Sequence, residues 1–260
     1  MYIDSHAHLT GEALRDHLGP MLERAGHAGV QAVVNICTDE KSLEEGIALH
    51  QRCPWVFNAA ALTPHDVHRE GGAFFSQVCR AAKEGHLVAI GETGLDYYYP
   101  ELDKGLQKQF LQQHMDLAKT SGLPLIFHCR EAFQDLFKYT DAYGLSKPAL
   151  VHCFTGTKEE AQEIVARGWY LSLSGILTFA KSEALRQAVR GLPEDRLLIE
   201  PDAPFLAPQK HRGKTNEPAF VIEVAAVLGS LYGRSQQEMG QITAENACHF
   251  FSFFLPTKEV

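Results

Sequence analysis

Apolar positions along this chain follow two alternating rhythms. Short β-rich runs at Tyr2–His6, Ala32–Cys37, Val56–Ala61, Leu87–Gly91, Leu125–His128, Ala149–Cys153, Tyr170–Ser174 and Leu197–Glu200 read as eight strands. Longer stretches between them, such as Lys104–Ser121 and Lys158–Gly168, read as helices. Gly29-Val30 and Gly122-Leu123-Pro124 mark junctions where glycine ends a helix ahead of the next strand. Strict alternation of strand and helix implies a parallel sheet. Eight such units favour closure into an α/β (β/α)₈ TIM barrel, with an open doubly wound sheet as the structural alternative. The chain carries no GxGxxG or GxxxxGKS phosphate fingerprint, which weighs against a nucleotide-binding open sheet. From about Asn216 the pattern is helical: Glu217-Pro218 places proline in a first turn, and Phe220, Val224, Val227, Leu228 and Leu231 recur every three to four residues. No linker or internal repeat interrupts the pattern, so residues 1–260 are expected to form a single domain.

Composition supports that reading and narrows the function. A chain of 260 residues suits a barrel, which typically takes about 250. Charged residues make up 22% without a low-complexity tract, so an ordered fold is expected. The net charge of -8 means that any nucleic-acid contact must be made by a local cationic patch. No apolar run approaches the ~18 residues of a membrane span, and the N-terminus lacks a basic region followed by an apolar core, so neither membrane association nor a signal peptide is expected. Cys37, Cys53, Cys79, Cys129, Cys153 and Cys248 contain no CxxC pair and read as reduced thiols, which fits the cytoplasm.

The candidate chemistry lies at the C-terminal ends of the strands, where a parallel barrel places its active site. His6 and His8 close the first run, Glu92 follows the fourth, His128 and His152 end the fifth and sixth, and Asp202 follows the eighth. Residues i and i+2 of a strand share a face. His6 pairs in this way with His8, Glu92 with Ile90, and His128 with Ile126 and Arg130, while Cys129 and Cys153 are expected to point at the helices. A lone histidine at a strand end is commonly just a satisfied polar residue, and HxH alone is weak evidence. Convergence of four imidazoles and two carboxylates from five strand ends is different, because burying so many ionisable groups without a cation is costly. These six residues are therefore expected to bind two divalent ions, with Glu92 as the bridge and the imidazoles as neutral nitrogen ligands.

Six stretches carry a family resemblance: Ile3-Asp-Ser-His-Ala-His-Leu9, Ala89-Ile-Gly-Glu-Thr-Gly-Leu-Asp96, Pro124-Leu-Ile-Phe-His-Cys-Arg130, Val151-His-Cys-Phe-Thr-Gly156, Ile199-Glu-Pro-Asp-Ala-Pro-Phe-Leu206 and Asn216-Glu-Pro218. In this order, over nearly the whole chain, they resemble the TatD family of metal-dependent deoxyribonucleases, in the amidohydrolase-like barrel group. Two positions depart from the family pattern. Leu62-Thr-Pro-His65 has Thr63 where the family's Gly-x-His-Pro-His turn has its first histidine, and Pro201 replaces the usual Thr or Ser before the aspartate.

The resemblance implies a Mg²⁺-supported nuclease, 3′–5′ exonuclease-like, that cleaves phosphodiester bonds, with single-stranded DNA as the expected substrate. Mn²⁺ and Zn²⁺ are also expected to suit four imidazoles. His6, His8 and Asp202 are assigned to one ion and His128 and His152 to the other, with Asp202 as general base and Glu92 as the shared catalytic carboxylate. His65 and Arg130 are the candidate phosphate contacts. Glu200 and Asp4 are expected to orient the ligands from one layer deeper. The basic loop Lys210, His211, Arg212 and Lys214 is a candidate for holding a nucleic-acid backbone, and Tyr97-Tyr98-Tyr99 for stacking bases or packing as a lid. The ligand set equally suits a hydrolase of carboxylic esters or amides, such as a lactone or an aminoacyl-tRNA ester, and a non-catalytic binding scaffold is the further alternative.

Overall fold

The computed structural model of the chain describes residues 1–68, 71–145 and 148–253; residues 254–260 of the expected domain lie outside them. Eight strands form one sheet in sequence order: β1 (Tyr2–Ala7), β2 (Val30–Cys37), β3 (Val56–Ala60), β4 (Ala89–Asp96), β5 (Leu125–Arg130), β6 (Ala149–Val151), β7 (Tyr170–Leu173) and β8 (Leu197–Ile199). Every neighbouring pair is parallel. A parallel bridge between Ala7 and Ala203 joins the two ends, and the His8 N–H donates to the Ala203 carbonyl at 2.8 Å. The result is a nearly closed (β/α)₈ barrel. A doubly wound sheet would reverse its strand order at a switch point, and this order never reverses.

The helices are α1 (Leu18–His27), α2 (Glu40–Arg52), α3 (Gly71–Lys83), α4 (Lys104–Ser121), α5 (Phe133–Tyr143), α6 (Lys158–Ala166), α7 (Glu183–Val189), α8 (Val221–Tyr232) and α9 (Gln236–Phe251). Their ends follow local chemistry. Asp39 with Ser42, Thr157 with Glu160, and Ser235 with Glu238 form capping boxes that satisfy the first free N–H groups of α2, α6 and α9. The α4 boundaries are those expected from the sequence, with Gly122 left-handed at the C-terminal cap.

Strand alternation divides the core into two layers. Val33, Ala60, Leu125, Phe127, Val151 and Leu171 pack with the outer helices. Ile3, Val34, Ile36, Ala59, Ile126 and Leu198 fill the lumen and continue into Ala247, Phe250 and Phe251 of α9. Phe250 packs on Tyr170, the first residue of β7, and Gly240 lies against Tyr2. Helix α9 therefore closes the N-terminal end of the barrel and leaves the C-terminal end for function.

One strand departs from expectation. The fourth run was expected to end at Gly91, ahead of Glu92, but β4 continues to Asp96. The inferred face-sharing of Glu92 with Ile90 also fails: Ile90 belongs to the outer layer, whereas Ala89 belongs to the lumen. The pairing of β4 with β5 shifts register between Ile90 and Thr93, and that irregularity turns Glu92 inward. A similar shift in β1 lies between Asp4 and Ala7, around His6. Glycines allow the close approach of β4 to β5. A Cβ on Gly91 would lie 2.4 Å from the Ile126 Cβ, and one on Gly94, at φ +144°, would lie 2.0 Å from the His128 carbonyl oxygen.

Helix α4 is tied to β4 beside Glu92 by His114. Its Nδ1 lies 2.7 Å from the Phe110 carbonyl and 3.0 Å from Thr93 Oγ1, while its Nε2 accepts the Leu62 N–H at 3.2 Å. The ring must be neutral to accept that bond. Burial pushes its pKa down to about 4 from an ordinary 6.5. Between those values the unfolded chain binds a proton that the folded chain refuses, so stability falls as pH drops through 6.5 toward 4. Urea unfolding at pH 7 and pH 5 should show a larger loss for the wild type than for His114→Gln, which cannot titrate. Equal losses in the two proteins would show that this ring does not contribute.

Candidate metal centre

At the open end of the barrel the structure brings His6, His8, Glu92, His128, His152 and Asp202 together around a cavity of about 940 Å³. Glu92 Oε2 is central: it lies 3.2 Å from His6 Nε2 and 2.5 Å from His152 Nε2. Asp202 Oδ1 is 3.9 Å from both His6 Nε2 and His8 Nε2. The His6 and His152 rings stack with centroids 3.9 Å apart, and His128 Nδ1 is 3.3 Å from His152 Nε2. Three overlapping sets, His6–His8–Glu92, His6–His152–Asp202 and Glu92–His128–His152, have donor atoms within 4.8 Å of one another.

Hydrogen bonding leaves this cluster unfinished. Asp4 Oδ2 and His6 Nδ1 are buried without a hydrogen-bond partner, and Glu92 Oε2 meets only the imidazole nitrogens of His6 and His152. Buried polar atoms are rarely left in that state, and oxygen and imidazole nitrogen are the donors that divalent ions take. Protonation points the same way. Burial raises the Glu92 pKa, but the charge and hydrogen bond of His152, together with His6, outweigh it and hold the carboxyl well below its usual range. Burial opposes a proton on His152, yet Glu92 and Glu200 raise its pKa well above the ordinary value. The cluster therefore draws positive charge to its centre. His8 and His128 are pushed down by burial, His8 to about 4, and so remain neutral. Burial, with Glu200, Glu92 and Asp4, raises Asp202 well above the usual carboxyl range against the pull of His152.

A second ring of polar groups orients the first. Glu200 Oε1 lies 3.3 Å from His152 Nδ1, and Glu200 Oε2 accepts from Ser172 Oγ at 2.5 Å. Asp4 Oδ1 accepts the His6 backbone N–H at 3.0 Å. Asp96 was expected only as part of a loop. It ends β4 instead, and its Oδ2 lies 2.9 Å from both His128 Nε2 and His65 Nε2. Gln107 of α4 grips the Asp96 backbone on both sides, accepting from its N–H and donating to its carbonyl. Asp96 thereby accepts a hydrogen bond from the Nε2–H of His128 and leaves Nδ1 free to face His152 and Glu92. The signal for this was the Gly-Leu-Asp end of the Glu92 motif, which an early strand end concealed.

The two departures from the family pattern have visible consequences. Thr63 Oγ1 donates to Asp66 at 2.8 Å and accepts the N–H groups of His65 and Asp66, so it builds the turn that carries His65. Pro201 lacks an N–H, but its carbonyl accepts from Asn216 Nδ2 at 2.6 Å, and the same amide bonds the Phe205 carbonyl. Asn216 thus clamps the segment that holds Asp202 at φ +63°, a conformation aspartate tolerates better than most residues.

Other expectations divide. Arg130 reaches the cavity rim, with its guanidinium 3.6 Å from the Tyr98 ring centroid, and makes no ion pair among the described residues. Cys129 packs in the outer layer as expected. Cys153 does not: it is left-handed at φ +46°, lines the cavity and donates to Ser174 Oγ, because β6 ends at Val151 and alternation ceases there. The basic loop is engaged within the protein. Lys210 pairs with Glu223 at 2.7 Å, His211 stacks on Phe220, and Arg212 lies over Phe179. Among the described residues no helix is long and apolar enough to cross a membrane.

Sequence and fold comparisons agree with this geometry. The family described as TatD related DNase matches residues 3–252. An uncharacterized metal-dependent hydrolase TatD of Mycobacterium tuberculosis is 36% identical over 255 residues, covering 94% of this chain and 96% of that protein. A protein of Erwinia tasmaniensis named 3′-5′ ssDNA/RNA exonuclease TatD is 29% identical over 256 residues, covering 96% and 99%. The crystal structure of YjjV, a TatD homologue from Escherichia coli K12, superposes with a TM-score of 0.92 at 26% identity, covering 97% of this chain and 98% of that one. With its barrel closed around such a site, the chain belongs to the TatD related DNase family and is a metal-dependent hydrolase of the TatD type.

Proposed function

We propose that this protein is a phosphodiesterase acting on single-stranded nucleic acid, DNA foremost, as a 3′–5′ exonuclease, and that the chain works as a single hydrolase domain. The observation that carries the proposal is the central Glu92 carboxylate between two sets of imidazoles, with buried donor atoms left without partners. The name of the Erwinia tasmaniensis relative supports the substrate class. Its reducing setting is the cytoplasm, which fits six cysteines without a CxxC pair.

His6, His8 and Asp202 would hold one divalent ion and His128 and His152 the other, with Glu92 shared. Mg²⁺, Mn²⁺ or Zn²⁺ in these positions would supply Lewis acidity toward a phosphoryl oxygen and toward water. The chain's own groups do the rest. Asp202 accepts the proton of the attacking water as general base. Asp96 fixes the His128 tautomer. His65, whose pKa is raised by its hydrogen bond to Asp96, lines the cavity beside His128 and would contact the phosphate. The unpaired guanidinium of Arg130 offers a planar fork to the same group.

Three outcomes check this reading. Crystals soaked in Mn²⁺ should give two anomalous peaks, one on each side of Glu92; one fully occupied peak, or a Glu92 turned away from both, would refute the shared carboxylate. Asp202→Asn should lower single-stranded DNA hydrolysis by about 10²–10⁴-fold at saturating metal, with its thermal unfolding unchanged in cooperativity. Retention of a tenth of wild-type turnover would remove Asp202 from the proton transfer. Asp96→Ala should weaken Mn²⁺ binding by about 10–100-fold in calorimetric titration, and an unaltered affinity would show that His128 needs no orienting partner.

A further inference from the structure

Large apolar side chains are almost all covered. Among the described residues the exposed ones are Met1, Tyr98, Tyr99 and Phe205, at 36%, 49%, 38% and 57% exposure. Three of these four belong to the mouth of one cavity. Tyr99 and Phe205 line it, and Tyr98 stands beside Tyr99 with ring centroids 4.9 Å apart. The tyrosines follow β4 and the phenylalanine follows β8. In a barrel whose eight strands run in sequence order, the fourth and eighth stand opposite each other. The rings therefore face the site from opposite sides.

Both sides are built rather than loose. Tyr98 is braced from beneath by the Arg130 guanidinium at 3.6 Å, and its N–H donates to Asp96 Oδ1 at 2.9 Å. Tyr99 meets His65 edge-on at 5.6 Å. Phe205 meets His8 edge-on at 5.7 Å, its N–H donates to the Asp202 carbonyl at 2.8 Å, and Asn216 holds its carbonyl. Each ring is thus anchored to the same elements that carry the candidate ligands, yet remains exposed to solvent.

We propose that Tyr99 and Phe205 are stacking platforms for the unpaired bases on either side of the scissile phosphodiester, with Tyr98 extending the Tyr99 platform. This rests on the phosphodiesterase reading above. Exposed aromatic rings beside a cationic group, here the Arg130 guanidinium, are what a single strand requires, because every base has a π-face and every link carries a phosphate. A tyrosine pair and a single phenylalanine on opposite sides of a concave mouth do not form the continuous patch that a stable protein partner covers. The arrangement also accounts for a strand preference. A base in a duplex has both faces occupied by its neighbours, so only an unstacked base can use these rings.

The test compares intact single-stranded oligonucleotides with ones carrying a tetrahydrofuran abasic residue at the terminal or the penultimate position. Wild-type protein with Mn²⁺ should lose about 5- to 100-fold in kcat/KM on the abasic strands, mainly through KM. Phe205→Ala and Tyr99→Ala should each bring the intact-to-abasic ratio toward one, at different positions of the strand. Phe205→Trp should keep the ratio and Phe205→Leu should lose it, which separates a ring effect from an apolar one and guards against a misfolded variant. In parallel, a strand containing 2-aminopurine is titrated with wild-type protein in EDTA, where its fluorescence should be quenched by stacking and less so by either alanine variant. If wild-type protein cleaves intact and abasic strands equally and quenches nothing, the platforms are refuted while the nuclease reading stands. Quenching that depends on Phe205 and Tyr99 without hydrolysis of any strand would support the platforms and overturn the nuclease reading. Absence of both signals overturns both.

Discussion

Four carboxylates, Asp4, Glu92, Glu200 and Asp202, are buried together at the C-terminal end of the barrel, and the surrounding structure is organised by the cost of that arrangement. Like charges in a low-dielectric site repel one another and cannot all ionise unless positive charge joins them. The protein meets part of this demand with His152, which lies between Glu92 and Glu200 and whose pKa they raise against the effect of burial. Part is left open, as the unpartnered Asp4 Oδ2 and His6 Nδ1 show. A divalent ion held there would offset the desolvation of these groups, in keeping with the metal-dependent hydrolases among the chain's relatives.

That charge cluster requires accurate backbone placement, and the scaffold supplies it at irregular points. The register shifts in β1 and β4 fall beside His6 and Glu92. Gly91 and Gly94 let β4 press against β5, which brings Asp96 within 2.9 Å of His128 Nε2. Gln107 and His114 on α4 then lock β4 from behind. At β8 the work is done after the strand ends, where Asn216 clamps the left-handed turn of Asp202. Regular strands would present their side chains on two faces in strict alternation. Departures from regularity concentrate several donors on one side.

The mouth of the site shows a division of labour. In the basic loop Lys210 pairs with Glu223 and Arg212 lies over Phe179, while both stay exposed to solvent. At the cavity, Arg130 makes no ion pair among the described residues and stacks on the exposed Tyr98, and His65 pairs with Asp96 and meets Tyr99. On the proposed reading, a chain with net charge -8 would draw phosphate locally, at the mouth of the site, through Arg130 and the adjacent rings.

How much of this could be read from the sequence depends on the range of the interactions involved. The eight strands, the α4 boundaries and the position of the six candidate ligands at strand ends follow from local pattern, because period, glycine caps and parallel topology are short-range or topological rules. Asp96, Cys153 and the inward turn of Glu92 were not legible in this way. Asp96 acquires its role from His128 and His65, which lie more than thirty residues away along the chain; Cys153 faces the cavity because β6 stops after three residues; and Glu92 turns inward because β4 slips against β5. The partners of the basic loop were hidden for the same reason, since Glu223 and Phe179 come to it only in the folded chain. The sequence by itself determined which chemical groups reach the open end of the barrel. Only the tertiary structure decided which of them are satisfied by one another and which are left to bind something else, because that outcome depends on pairwise distances of a few ångströms between residues remote in sequence.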